Sequence, residues 1–251
     1  MGRLIAAIRF LTIIPVPGRV GTGENNMAMS LPFFPILGLL IGMAAAGLSQ
    51  VLWHFFPPLP AAVLIVIFLV AVSGGLHLDG LCDTADGFFS ARPRERILEI
   101  MRDSRVGAMG VMAIVLTVIL KVAALESHGA ENIWVVVLLM PLAGRCSLLV
   151  LMAILPYARP EGGLATLFYS RSSKLSALWG VCLLLAIGAL AAGPAGFAAA
   201  GICLGVIFLF AGFCRMKIGG ATGDTLGAGC ELAETVVALA FAAKPVLELL
   251  G

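Results

Sequence analysis

Pro60-Ala-Ala-Val-Leu-Ile-Val-Ile-Phe-Leu-Val-Ala-Val-Ser73-Gly-Gly75-Leu-His77-Leu-Asp79-Gly-Leu-Cys82-Asp83-Thr-Ala-Asp86-Gly87 is the stretch on which the reading of this chain turns. Its first half is an unbroken apolar run and its second half carries three carboxylates. Carboxylates are costly near a bilayer, so several in such a place mark a site. Asp79, Asp83 and Asp86 stand at i, i+4 and i+7, which on a helix confines them to a sector of ~60° and ~10 Å of axis. Leu78, Leu81, Cys82 and Ala85 make an apolar stripe at i, i+3, i+4 and i+7. One side of this helix is expected to pack while the other presents oxygen ligands. Three like charges on one face repel, so a cation or basic groups must balance them. Clustered carboxylate oxygens suit a hard cation, Mg²⁺ before Zn²⁺.

Outward from that stretch, composition sets the class. The chain has 251 residues, 61% of them hydrophobic and 12% charged, where a soluble domain carries about 25% charged residues. Apolar runs long enough to cross a bilayer fall near 31–53, 60–77, 107–125, 133–155, 176–192, 195–213 and 228–250. The expected fold is an all-α, polytopic integral membrane helix bundle of six or seven transmembrane helices, with residues 1–251 forming a single membrane-embedded catalytic domain. Near the amino terminus, Leu4, Ile5, Ile8 and Leu11 recur at helical spacing, away from Arg3 and Arg9. That pattern predicts an interfacial helix, ended by Pro15-Val-Pro-Gly18.

Charge alternates between the connections. Arg3, Arg9 and Arg19 precede the first span; Arg92, Arg94, Arg96, Arg102 and Arg105 follow the second. Arg159, Arg171 and Lys174 occupy a later connection, and Arg215 and Lys217 the last. The intervening connections hold no Lys or Arg, which leaves only Lys121, Arg145 and Lys244 outside the pattern. The positive-inside rule puts the basic connections in the cytoplasm, together with the Asp-rich motif and the glycine-rich stretch near 219–229. The six cysteines are scattered without a CxxC pair and are read as small buried side chains.

Two further constellations join the Asp trio. In Met101-Arg102-Asp103-Ser104-Arg105-Val-Gly107-Ala-Met-Gly110, two arginines bracket an acid, and Arg102 and Arg105 have forks that match phosphate oxygens. Asp103 is a candidate metal ligand or an orienter of those arginines. In Gly219-Gly-Ala-Thr222-Gly223-Asp224-Thr225-Leu-Gly227-Ala-Gly229-Cys-Glu231-Leu-Ala-Glu234, the glycines at 219, 223 and 227 would let a helix approach closely. Gly223 and Thr225 lie where backbone N–H groups face phosphate. Asp224, Glu231 and Glu234 form a second acidic wall, expected to close a cation cage. Arg145 lies in mid-span and pairs with either a substrate phosphate or an acid, while Lys121 is expected to snorkel. Arg159, Glu161 and Arg171 are candidate substrate contacts, and Arg92-Pro-Arg94-Glu-Arg96 is read as topology signal. Carboxylates and arginines together point to metal-assisted phosphoryl transfer, with His77 or a carboxylate taking the proton of an attacking hydroxyl.

These motifs resemble those of the cobalamin synthase family, the adenosylcobinamide-GDP ribazoletransferases. The likeness lies in Gly75-Leu-His77 through Gly87, Met101 through Gly107, and Thr222-Gly-Asp224-Thr-Leu-Gly227-Ala228. Arg9-Phe-Leu-Thr-Ile-Ile-Pro15-Val-Pro17 and Phe34-Pro-Ile-Leu-Gly38 are similar too. The resemblance implies transfer of the adenosylcobinamide-phosphate group of adenosylcobinamide-GDP to α-ribazole or its 5′-phosphate, with Mg²⁺ as cofactor and GMP released. It implies a multi-pass protein of a bacterial inner membrane, facing the cytoplasm and in contact with membrane lipid. Homo-oligomers or other late cobalamin-pathway enzymes are the expected protein partners, and nucleic acid is not. On this reading Asp79, Asp83, Asp86 and His77 are catalytic. Asp79, Asp83, Asp86, Asp103 and Asp224 hold metal, and Arg102, Arg105, Arg145, Gly223 and Thr225 bind substrate. The chemistry is similar to that of CDP-alcohol phosphotransferases. A membrane prenyltransferase and a cation-coupled transporter are the competing classes; the former needs a second Asp-x-x-x-Asp motif, the latter acids at mid-depth.

Overall fold

The computed structural model describes residues 2–159, 161–163, 165–169 and 174–243. Among them all regular structure is helical, apart from one isolated bridge between Tyr157 and Ala221. The helices are α1 (Gly2–Leu11), α2 (Glu24–Ala28), α3 (Phe34–Phe55), α4 (Pro58–Ser73), α5 (Leu76–Phe88) and α6 (Arg94–Ile100). They continue with α7 (Ala108–Glu126), α8 (Ile133–Ile154), α9 (Thr166–Tyr169), α10 (Lys174–Ile218) and α11 (Gly223–Ala242).

α8 is the axis of the bundle. It is apolar on nearly every side, the pattern of a helix enclosed by others, and every residue from 135 to 152 is buried. α3, α10 and α11 pack around it. α3 approaches through Gly38 and Gly42, where small residues let backbones meet. A Cβ on Gly38 would lie 2.6 Å from the Pro141 carbonyl oxygen, and one on Gly42 would strike the Leu138 carbonyl.

The 45-residue α10 is two arms. Ala192 and Gly193 leave helical geometry, Gly193 at φ 54°, and Pro194 opens the second arm. A Cβ on Gly188 would lie 2.8 Å from the Gly196 carbonyl oxygen. Residues eight apart on a straight helix are ~12 Å apart, so the chain reverses here, and 174–191 and 194–218 form a hairpin. Five helices of the described chain are long and apolar enough to cross a membrane, and α4 with α5 makes a sixth candidate. By length and composition the described chain thus holds five candidate spans, or six with that bent pair, where α10 with its two arms counts once. The last span begins at Gly223 rather than at 228, and its expected end, 244–250 with Lys244, lies outside the described residues.

α5 is not a continuation of α4. Gly74 and Gly75 both adopt the left-handed region, φ 62° and 75°, and the axis turns by 90°. Two consecutive residues at positive φ suit glycine, which has no Cβ to clash. α5 then lies across one end of the bundle, against the first turns of α7 and α11 and against Phe213 near the end of α10. The amino-terminal helix forms as expected, but its buried residues are Ala6, Ala7 and Leu11; Leu4, Ile5 and Ile8 are half-buried. Arg9 donates to the carbonyls of Val16, Gly18 and Val20, tying down the loop that follows. At the other end of the bundle, Gln50 and Trp53 of α3 donate to the carbonyls of Ala130 and His128.

Candidate active site

α5 is wedged between α11 and α7, and this decides where its three carboxylates go. On one side Gly80 removes a side chain where the α11 terminus comes in: a Cβ there would lie 2.7 Å from the Asp224 carbonyl oxygen. Gly227 is its counterpart, 3.3 Å from His77 and 3.4 Å from Gly80 by the same measure. The buried side of α5 therefore runs through His77, Gly80, Thr84 and Phe88 as well as Cys82 and Ala85. The expected apolar stripe is corrected accordingly: Leu78 and Leu81 are only half-buried, and small residues make the tighter seam. Gly219, expected on that seam, instead takes φ 77° in the turn after α10, and nothing lies within 4 Å of where a Gly223 Cβ would be.

The opposite side of α5 meets α7. Asp86 Oδ2 accepts from the Gly107 N–H at 2.7 Å and Oδ1 from the Gly110 N–H at 2.8 Å. Gly107 is the residue at which α7 starts, so Asp86 satisfies two of the amide groups a helix start leaves unpaired. A Cβ at either glycine would strike the carboxylate. The glycines at 107 and 110 and the acid at 86 are thus one device, and Asp86 is directed to α7 while Asp79 and Asp83 remain for the cleft.

Asp224 arrives from the first turn of α11, where the helix dipole favours an acid. Thr222 and Thr225 form a reciprocal cap: the Thr222 N–H donates to Thr225 Oγ1 at 2.8 Å, and the Thr225 N–H donates to Thr222 Oγ1 at 3.3 Å. Thr225 is therefore committed to the cap and buried, and of the two proposed anion contacts only Gly223 is exposed. Arg159 Nη2 donates to Asp224 Oδ2 and to the Met101 carbonyl oxygen. Its loop is held by paired backbone bonds between Pro156, Ala158 and Ala221, each 2.8 Å. Arg94, read from sequence as topology signal, fastens the same place. Its Nε donates to the Ile218 carbonyl and its Nη2 to the Ala158 carbonyl, both at 2.8 Å. Sequence reasoning missed it because an arginine among other arginines carries no signal of its partners.

Asp79 is exposed at the cleft and Asp83 is half-buried beside it. Burial, then the Asp224, Asp79 and Asp86 carboxylates, push the Asp83 carboxyl up to about 7, with Arg159 opposing. Asp103 stands apart: it accepts from the N–H and side chain of Arg105, and this pairing holds it down at about 2. Arg102 pairs with Glu161 at 2.6 Å on the rim. Arg171 lies outside the described residues.

The expected second acidic wall does not exist as such. Glu231 and Glu234 point into the bundle, one and two turns deeper than Gly227. Lys121 Nζ donates to both at 2.7 Å, and Arg145 Nη1 donates to Glu234. All four side chains are almost completely buried. Arg145 is thus half of an internal ion pair, and Lys121 does not snorkel. Gly144 leaves the room: a Cβ there would lie 3.0 Å from Glu234 Oε1. No group of three His, Cys, Asp or Glu side chains closes to metal-holding spacing among the described residues, and Glu231 and Glu234 do not close the expected cage.

Beneath Asp79 and Asp224 opens a cavity of about 270 Å³. His77, Tyr157 and Arg159 line it together with the apolar Phe34, Leu148 and Phe168. His77 is buried, and its Nε2 has no hydrogen-bond partner among the described residues.

Residues 3–242 match the family described as cobalamin-5-phosphate synthase. A protein of Acetivibrio thermocellus named adenosylcobinamide-GDP ribazoletransferase is 39% identical over 239 residues, 95% of this chain and 96% of that one. One of the same name from Roseiflexus sp. (strain RS-1) is 42% identical over 93% of this chain and 86% of its own. Another from Desulforamulus reducens is 39% identical over 92% of each. No solved structure matches.

Proposed function

The chain belongs to the cobalamin-5-phosphate synthase family, and from that premise we propose that it joins adenosylcobinamide-GDP to α-ribazole, or its 5′-phosphate, and releases GMP. The observation that carries this reading is an excess of carboxylate at an open cleft: Asp79, Asp83 and Asp224 converge there with Arg159 as the cation at hand. Such an excess fits a divalent cation, and Mg²⁺ in particular is held by one or two carboxylates plus substrate phosphates rather than by a full protein cage. One or two of Asp79, Asp83 and Asp224 would hold it, with substrate phosphate completing the set. When bound, it would neutralise the pyrophosphate and polarise the attacked phosphorus.

The protein's own groups supply the rest. Arg159 presents a guanidinium to phosphate oxygens while fixing Asp224. The exposed first turn of α11 at Gly223 adds the positive end of a helix dipole. An acceptor hydroxyl forms the new O–P bond at the phosphorus next to the cobinamide, the phosphoanhydride bond breaks, and GMP departs. A carboxylate of the cleft takes the hydroxyl proton. Asp86 keeps α5 and α7 in register, and Arg145 supports the floor. The basic connections flanking the cleft support a location on the cytoplasmic side of a bacterial inner membrane.

The test is GMP release by purified protein given adenosylcobinamide-GDP, α-ribazole and Mg²⁺. Turnover that stops when any one of the three is omitted is the expected result. Consumption of a prenyl diphosphate with the nucleotide donor untouched would overturn the reading.

A further inference from the structure

Resting on that proposed reaction, we propose that Arg94 is a positioning residue: from the start of α6 it clamps two connections together and so holds Arg159 at the cleft. One connection, Leu155 to Arg159, leaves α8; the other, Gly219 to Thr222, joins α10 to α11. They run side by side. The Ala158 N–H donates to the Ala221 carbonyl and the Ala221 N–H to the Pro156 carbonyl, each at 2.8 Å. Gly220 carries no side chain where it meets the Pro156 carbonyl. A pairing of two such bonds is marginal on its own. Arg94 completes it. Its Nε donates to the Ile218 carbonyl, just ahead of the second connection, and its Nη2 to the carbonyl of Ala158, the residue before Arg159. A planar fork can span two carbonyls in this way, and an ammonium, a point charge, cannot do so with the same fixed geometry.

The other end of α6 closes the frame. Met101, its C-cap, accepts from Arg159 Nη2 at 3.4 Å. The side chains of Met101 and Ile97 sit over Gly87 of α5, one turn beyond Asp83. α6 therefore ties the Arg159 connection to the helix that carries Asp79 and Asp83. A neighbouring arginine shows the plain alternative. Arg96 pairs with Glu99, three residues on in its own helix, whereas Arg94 bridges to residues 124 and 64 positions away. Membrane topology asks only for a basic residue in this connection, and either arginine meets that need. The fork at two carbonyls is left over, and positioning accounts for it.

The test compares Arg94→Gln with Arg96→Gln, which removes the same charge from the same helix. Arg94→Gln is expected to lower kcat/KM for GMP release about tenfold, because a small misplacement of a binding group is costly. Arg96→Gln leaves it in place. The Arg94 side chain is 43% exposed, so melting shifts little in either variant. Each is then combined with Arg159→Gln. If Arg94 acts through Arg159, its loss changes the rate of that background by less than about twofold, where independent sites would each contribute in full. Hydrogen exchange adds a readout without substrate: in Arg94→Gln the Ala158 and Ala221 amides exchange about tenfold faster, the effect of one lost hydrogen bond, while those of α8 keep their protection. A tenfold loss in both backgrounds, an equal loss in Arg96→Gln, melting far below the wild type, or unchanged exchange at Ala158 and Ala221 would each overturn the assignment. If the wild type released no GMP at all, the reaction would be wrong, yet hydrogen exchange would still decide the clamp.

Discussion

Inside the bundle, Lys121 and Arg145 face Glu231 and Glu234, two cations against two carboxylates with almost no solvent. At the cleft above, Asp79, Asp83 and Asp224 face Arg159. The first set is neutral as it stands and gains nothing from a ligand. The second is acidic in excess and open, which is the imbalance the proposed cation would offset. Depth alone does not separate structural from functional charge; charge balance does. Breaking the cleft should therefore abolish turnover and spare the fold, and breaking the inner cluster should do the reverse.

The largest effect is expected at Asp83. Asp83→Asn keeps size and hydrogen bonding but removes a charge, and GMP release should fall by about 10³-fold or more, the several kcal/mol attributed to a catalytic metal. Its melting temperature should stay near that of the wild type. Chelation of divalent cations should have the same effect on the unaltered protein. Undiminished turnover in chelator would remove the distinction between the two charge sets.

Next in size is Glu234. Glu234→Gln strips the carboxylate shared by Lys121 and Arg145, and removing one partner of a buried pair costs about 3–5 kcal/mol. The expected outcome is a large drop in thermal stability. The double variant Glu234→Leu/Arg145→Leu leaves the Lys121–Glu231 pair intact and should recover much of that loss. Retained GMP release in the double variant would establish that Arg145 does not hold a substrate phosphate.

Arg159 lies between the two regimes, half-buried and paired with Asp224. Arg159→Lys keeps the charge but loses the fork that reaches Asp224 and phosphate together. A fall in kcat/KM of about tenfold, roughly 1.4 kcal/mol, is expected, with little change in melting. A larger loss of stability than of activity would assign Arg159 to the inner cluster instead.

Much of this was legible in the sequence. The apolar spans and the break near 192 follow from hydropathy, because a bilayer forces it to be periodic. Asp79 and Asp83 were legible because acids beside an apolar run are rare. The division of the acids was not. Glu231 and Glu234 continue the spacing of Asp224, so periodicity groups them; their partners Lys121 and Arg145 lie more than 80 residues away in sequence, and only packing of α7 and α8 against α11 brings them in. Arg94 is hidden for the same reason, since its carbonyl partners belong to Ala158 and Ile218. What Asp86 meets was not legible either, because spacing gives the direction of a side chain and not what stands in front of it.

Asp86 supplies the finest cut between the two charge sets. It shares a helix and a face with Asp83, yet both of its oxygens accept amide hydrogens at the start of α7. Asp86→Asn keeps one acceptor oxygen for Gly107 or Gly110 and loses the other, which should cost about 1 kcal/mol of stability, as for a weakened helix cap. Because α5 keeps its seat against Gly80 and Gly227, Asp79 and Asp83 stay at the cleft, and GMP release should fall only a few-fold. The measurement is the pair of variants side by side, at saturating Mg²⁺. If Asp86→Asn loses as much activity as Asp83→Asn while melting normally, Asp86 is a member of the metal-holding set, its amide contacts notwithstanding. A stability loss with modest change in rate instead makes it the residue that aligns α5 on α7.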